Sequence, residues 1–271
     1  MLRWKEERQG ETALLIEGAR RIGKSTIVEE FAKNEYSSYI LVDFSKTATE
    51  INDLFNDLSD LNYIFLRLQL NYNVSLKERK SLIIFDEVQN NPKARQAIKH
   101  LVKDHRYDYI ETGSLISIRK NVQNIIIPSE ETRISMHPMD FEEFRWALGD
   151  NVTFTLLKTV LEQKQPLGEA IHRKLMRDFR LYMLVGGMPQ AVDKYIKTND
   201  LSAVDTVKRD IIALYEEDLR KIETSGKATA MFDAIPSQLS KNASRYTIST
   251  VIPGEKQDRI SDIVQLMEES R

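Results

Sequence analysis

A glycine-rich motif near the start of the chain constrains its fold more than any other feature. Residues 18–25 read Gly-Ala-Arg-Arg-Ile-Gly-Lys-Ser and fit the pattern G-x-x-x-x-G-K-[ST]. An apolar run at residues 12–17 predicts a buried strand before the motif, and residues 24–32 have the spacing of a helix. A strand, a glycine turn and a helix in this order predict a phosphate-binding loop, because inward N–H groups and the positive helix end attract anions.

The motif also predicts which side chains bind a nucleoside triphosphate. Lys24 is expected to lie between the β- and γ-phosphates, and the Ser25 hydroxyl is expected to ligate Mg²⁺. Arg20 or Arg21 contacts the nucleotide or a neighbouring subunit, or else both are exposed and only raise the local positive potential. The residues predicted to bind ATP here are Gly18, Ala19, Arg20, Arg21, Ile22, Gly23, Lys24, Ser25 and Thr26.

A pair of acidic residues follows the most apolar strand of the sequence. Four apolar residues, 82–85, run into Asp86 and Glu87. The strand brings Asp86 to the carboxyl edge of a sheet, where it is expected to hold hydrated Mg²⁺. Glu87 is then placed to orient and deprotonate a water molecule. A solvated acidic turn is the alternative, but a hydrolase needs the second carboxylate, whereas a P-loop kinase must exclude water.

The next predicted strand, at residues 107–111, ends in Glu-Thr-Gly-Ser. A hydroxyl at this position is expected to hydrogen-bond the γ-phosphate or the attacking water. Thr112 is preferred over Ser114 for this role, and an ordinary turn after the strand is the alternative.

Apolar strands alternate with helices up to residue 145, which predicts an α/β fold with a parallel sheet covered on both faces. From residue 141 to about 219 the pattern is helical. The net charge is −2, from 39 basic and 41 acidic residues, so electrostatics do not favour nucleic acid or an anionic membrane as an obligatory partner. With no cysteine and no apolar run of membrane-spanning length, the sequence predicts a soluble cytoplasmic protein without membrane association.

These motifs resemble those of the AAA-family ATPases of bacteria and archaea. That family typically carries G-x-R-R-x-G-K-[ST], a hydrophobic run before D-E-[IV]-Q, and T-G-S. Residues 138–144 are similar to its P-[LM]-[ST]-F-x-E-[FY] segment and depart from it at Asp140, and residues 186–189 are similar to its G-G-x-P. The resemblance covers residues from about 13 to 190.

The resemblance implies an ASCE-type P-loop core with sheet order 5-1-4-3-2, then an all-helical lid and the start of a winged helix. The expected domains are a P-loop ATPase core at 1–145, a lid at 146–223 and a partial winged-helix segment at 224–271. Met188 and Pro189 would lie near the adenine. Arg133 would be an arginine finger acting on the ATP of a neighbour in a homo-oligomer, or a solvated arginine beside a strand. Because family members usually continue further, the resemblance implies a truncated chain.

Three functions fit the sequence. The leading one is Mg²⁺-dependent ATP hydrolysis coupled to a conformational switch of the lid. The second is a nucleotide-gated DNA-binding protein, in which Lys227, Lys241 and Arg245 contact phosphates. The third, a P-loop kinase, is disfavoured by Glu87. A DNA or protein partner is expected at the C-terminal segment.

Overall fold

The structure is a computed structural model that describes residues 1–114, 129–240, 246–254, 261 and 263–264. It divides into two compact units. The first comprises Met1–Met136 with Ser237–Arg271, and the second comprises His137–Pro236. The three-part division at residues 145 and 223 stays a prediction.

The first unit is built on a sheet of five strands. The strands lie in the order β2-β3-β4-β1-β5, and every neighbouring pair is parallel. Counted from the other edge, this is the order 5-1-4-3-2, so the predicted fold class is confirmed. The strands are β1 (Ala13–Gly18), β2 (Ser38–Asp43), β3 (Ser81–Asp86), β4 (Asp108–Ser114) and β5 (Glu131–Met136).

The strand register brings the polar motifs to one edge of the sheet. Gly18 at the end of β1 is opposite Ser114, and Phe85 near the end of β3 is opposite Glu111. The last residue of β3, Asp86, is therefore close to Thr112 on β4. Since β1 and β3 are both hydrogen-bonded to β4, a single edge carries the glycine motif and the acidic pair.

Helices of the first unit cover both faces of the sheet. On one face, Ile83, Phe85 and Tyr109 pack against the helices at Leu61–Tyr72 and Pro92–Asp104. On the other face, Leu14 and Ile84 pack against the helix at Lys24–Glu35. Both faces of the sheet are therefore buried under helices, as is usual for a parallel sheet. These helices are α1 (Leu2–Arg8), α2 (Lys24–Glu35), α3 (Thr49–Asp53), α4 (Leu61–Tyr72) and α5 (Pro92–Asp104).

The second unit is helical in its described residues, and its apolar core contains Phe144, Val185 and Val192. Asp140 begins the first helix: its carboxylate accepts from the Glu143 N–H at 2.8 Å, and the Glu143 carboxylate accepts from the Asp140 N–H at 3.0 Å. This capping box explains why Asp can replace the Ser or Thr of the family pattern. The helices are α6 (Phe141–Ala147), α7 (Thr153–Glu162), α8 (Glu169–Val185), α9 (Pro189–Thr198), α10 (Leu201–Ile222) and α11 (Lys227–Asp233).

The chain after α11 continues in α12 (Ile235–Leu239) and a 3₁₀ turn at Ile248–Thr250. Lys241 and Arg245 lie outside the described residues, so the winged helix and its DNA contacts stay predictions. None of the helices in the described ranges combines the length and the apolar character needed to cross a membrane.

Candidate nucleotide-binding site

The glycine motif joins β1 to α2 and is closely packed. A Cβ on Gly18 would lie 2.2 Å from the carbonyl oxygen of Met136 on β5, so no other residue fits there without moving the edge strand. Gly23 has φ +92° at the start of α2, in the left-handed region that favours glycine. Ile22 is buried between them and fixes the turn to the core. The loop is therefore a defined turn at the amino end of a helix.

Lys24 is a buried cation at the centre of this loop. Its Nζ donates hydrogen bonds to the carbonyl oxygens of Gly18, at 3.1 Å, and Ala19, at 2.7 Å. Burial lowers the pKa of the Lys24 ammonium; the charges of Glu87 and Asp86 oppose that shift, and Arg20 adds to it. The acidic pair at the end of β3 therefore acts electrostatically on the lysine of the loop.

The Asp86 carboxylate connects the loop with two strand ends. The Ser25 hydroxyl, in the first turn of α2, donates to Asp86 Oδ1 at 2.7 Å, and the Thr112 hydroxyl of β4 donates to the same oxygen. Asp86 and Thr112 are both buried. The predicted magnesium ligands Ser25 and Asp86 are thus adjacent, and Thr112 is the hydroxyl of the Thr-Gly-Ser turn that touches them.

Glu87 has a backbone conformation that is rare for its residue type. Its φ of +53° and ψ of +46° are left-handed, which costs about 1 kcal/mol in a residue with a Cβ. The Glu87 N–H donates to the Thr112 hydroxyl at 3.3 Å, and the Gln89 side-chain amide donates to the Glu87 carboxylate. The sequence analysis assigned no role to Gln89, although Gln89 occupies the glutamine position of the family pattern D-E-[IV]-Q.

The residues at this edge fit magnesium only as part of a nucleotide complex. In the described ranges, no three or more His, Cys, Asp or Glu side chains are grouped to hold a metal ion. Ser25 and Asp86 supply hard oxygen ligands, and Mg²⁺ is commonly bound by one or two carboxylates together with substrate phosphates and water. The donor set therefore suits an ion that a phosphate also ligates.

Comparison with known families agrees with this geometry. A family model described as an AAA domain matches residues 10–145, just over half of the chain. The chain belongs to the AAA family. A second family model, described as a domain of unknown function (DUF8612), matches residues 176–271 of this AAA protein. No match to a curated protein reaches significance.

Solved structures resemble the AAA protein at low sequence identity. The Aeropyrum pernix ORC1 protein, solved in complex with DNA, is 13% identical, with a TM-score of 0.41 over 98% of this chain and 81% of that one. The Thermotoga maritima RuvB Holliday junction branch migration motor is 12% identical, with a TM-score of 0.42 over 96% and 81%.

The other predicted residues occupy several places. Arg20 is half-buried, Arg21 and Thr26 are exposed, and Arg21 has φ +64°. Met188 and Pro189 begin α9 in the helical unit of the AAA protein, where Met188 packs against the apolar cluster. Their contact with adenine stays a prediction.

Arg133 lies on the edge strand β5. Its guanidinium pairs with the Glu131 carboxylate at 3.3 Å, and its side chain is 47% exposed. Its action as an arginine finger stays a prediction.

Proposed function

We propose that this AAA protein binds ATP with Mg²⁺ and hydrolyses it. One observation carries the proposal: the Asp86 carboxylate is contacted by the hydroxyls of Ser25 and Thr112, beside the buried ammonium of Lys24. A solvated acidic turn would not be buried and would not contact the phosphate loop. A buried carboxylate, hydroxyl and ammonium at a helix N-terminus suit a triphosphate–metal complex.

The loop and Lys24 bind the phosphates in this proposal. The N–H groups at the start of α2 point toward anions, and the Lys24 ammonium exchanges its carbonyl partners for phosphate oxygens, which form stronger charge-assisted hydrogen bonds. Ser25 and Asp86 would hold Mg²⁺. When bound, Mg²⁺ neutralises charge that develops on the phosphate oxygens.

Glu87 orients and deprotonates the attacking water in this proposal. The amide of Gln89 holds one of its carboxylate oxygens and leaves the other for the water. Thr112 has a single hydroxyl proton, and it donates that proton to Asp86 while it accepts from the Glu87 N–H. We therefore assign Thr112 a positioning role toward Asp86 and Glu87 in place of a direct bond to the γ-phosphate.

The finer parts of the proposal rest on the family resemblance. The helical unit, with its own apolar core, would close on the base as a lid, with Met188 and Pro189 near the adenine. Arg133 would act in a cytoplasmic homo-oligomer. The DNA-gating alternative rests on Lys227, Lys241 and Arg245, and of these Lys241 and Arg245 lie outside the described residues.

Phosphate release at saturating ATP tests the proposal. We expect Mg²⁺-dependent turnover by the wild-type chain and loss of ATP binding in Lys24→Ala. Lys33→Ala, which removes an exposed lysine from the same helix, is the matched control and should behave as wild type. Undiminished turnover in a folded Lys24→Ala chain, or no turnover by wild type with bound ATP and Mg²⁺, would refute the proposal.

A further inference from the structure

A cavity of about 440 Å³ lies between α1 and the edge strand β5. We name it the α1–β5 cavity. No residue of the glycine motif or of the acidic pair lines it. Its lining consists of Met1, Arg3, Trp4, Glu7, Arg8, Thr132, Arg133 and Ile134.

The lining of the α1–β5 cavity is strongly cationic. It contains three arginines and one carboxylate, in a chain whose net charge is −2. The carboxylate, Glu7, is 3.9 Å from Arg3, and both side chains are mostly exposed, so this pair neutralises the cavity weakly. The cavity therefore concentrates positive charge that the composition of the whole chain does not suggest.

Buried groups hold the side chain of Arg133 in place. Its guanidinium and that of Arg95 both lie 3.3 Å from the same oxygen of Glu131. Arg95 and Glu131 are almost fully buried, whereas Arg133 is half-exposed. Two guanidiniums thus share one carboxylate, and of these residues only Arg133 is part of the cavity lining.

A second buried carboxyl, Glu111, faces Glu131 in this cluster. Within the described ranges, Arg95 Nη1 has no hydrogen-bond partner. Burial raises the pKa of Glu111 well above its ordinary value, the negative charge of Glu131 raises it further, and Arg95 and Arg133 act in the opposite direction.

We propose that the α1–β5 cavity is an anion site that binds a phosphate group through Arg3 and Arg8 of α1. Guanidinium forks bind phosphate oxygens in a bidentate geometry, and a phosphate group, which carries more negative charge than a carboxylate, matches the positive lining better. The phosphate comes from a free anion or from a nucleic-acid backbone. The site does not depend on ATP hydrolysis.

Binding to the full-length Lys24→Ala chain tests the site, because this background removes the phosphate loop as a competitor. Inorganic phosphate and a single-stranded 20-nucleotide DNA are titrated separately by calorimetry at low salt. We expect saturable binding of at least one probe, weakened about tenfold or more by Arg3→Gln with Arg8→Gln. Arg173→Gln with Arg209→Gln is the matched control, since both arginines are exposed members of i,i+4 ion pairs in other helices.

A gain in affinity provides a second test that unfolding cannot imitate. Glu7→Gln removes the one carboxylate that the described residues contribute to the lining and should tighten binding by roughly two- to fivefold. Glu6→Gln, on the same helix but outside the lining, should leave it unchanged. Binding of phosphate alone identifies a free anion, and tighter binding of DNA identifies a nucleic-acid backbone. No binding of either probe, or binding insensitive to Arg3, Arg8 and Glu7, would overturn the proposal.

Discussion

At the residue scale, the site depends on a few side chains whose partners sequence reasoning identified only in part. Lys24, Ser25 and Asp86 follow from motif spacing, because a P-loop places them in the same way wherever it occurs. The preference for Thr112 over Ser114 also came from the sequence. Its positioning role did not, because a hydroxyl has one proton and only the structure shows which acceptor receives it.

The first residue-scale prediction concerns the Thr112 hydroxyl. Thr112→Val keeps the shape of the side chain and removes both hydrogen bonds, so Asp86 and Glu87 lose their common partner. We expect kcat for ATP to fall about 10- to 100-fold, as for other groups that orient metal ligands. Thr112→Ser should restore most of the activity. A Val variant with wild-type kcat would show that the hydroxyl positions nothing.

Gly18 lies so close to the Met136 carbonyl oxygen that a larger residue should destabilise the chain. In Gly18→Ala the new methyl group would overlap the Met136 carbonyl, so β5 or the loop must shift. We expect a loss of about 1–3 kcal/mol in the free energy of unfolding and weakened ATP binding. Gly149→Ala is the control, because Gly149 has φ +85° and open space around it, so that only backbone strain is added. Denaturant titration compares the two variants; equal losses would remove steric overlap as the cause.

At the element scale, periodicity predicted strands and long helices well and short or capped elements less well. The helix α4 ends at Tyr72 because Asn73 takes a left-handed cap at φ +51°, a local feature that helical periodicity does not reveal. The seven-residue helix α1 was not predicted, because so short an element has little periodicity. The sequence also did not predict the buried ion pair of Arg95 on α5 with Glu131 on β5, since local patterns do not show which distant residues pair.

An element-scale prediction follows from the capping box of α6. Asp140→Ala removes the side chain that accepts from the Glu143 N–H, so we expect a loss of about 0.5–2 kcal/mol in the free energy of unfolding. Asp140→Ser should lose much less, because serine caps helices equally well and stands in the family pattern. Thermal or chemical denaturation distinguishes the variants, and equal losses for Ala and Ser would contradict the capping role.

At the scale of the whole molecule, the buried carboxyl of Glu111 makes stability depend on pH. Its pKa is raised in the folded state, so the folded chain holds this proton more tightly than the unfolded chain. The stabilisation is therefore complete below the unfolded pKa, at about pH 4.3, and is lost as pH rises through the folded pKa. The facing charged groups are Glu131, Arg95 and Arg133.

We accordingly predict that the free energy of unfolding of wild type, relative to that of Glu111→Gln, falls as pH rises above about 4.3. The glutamine stays neutral, so the difference between the two curves isolates this group from the other titrating residues. Denaturant titrations at a series of pH values measure it. A difference that is constant with pH, or that grows as pH rises, would contradict a raised folded-state pKa.

In the proposed function the acidic pair at the end of β3 serves the phosphate loop, and a substitution of Glu87 tests this most directly. The measurement is single-turnover cleavage of pre-bound ATP, with Mg²⁺, by wild type and Glu87→Gln. We predict that the variant binds ATP as tightly as wild type and cleaves it at least about 100-fold more slowly, since only the water-activating base is lost. Cleavage at the wild-type rate by Glu87→Gln would contradict the account.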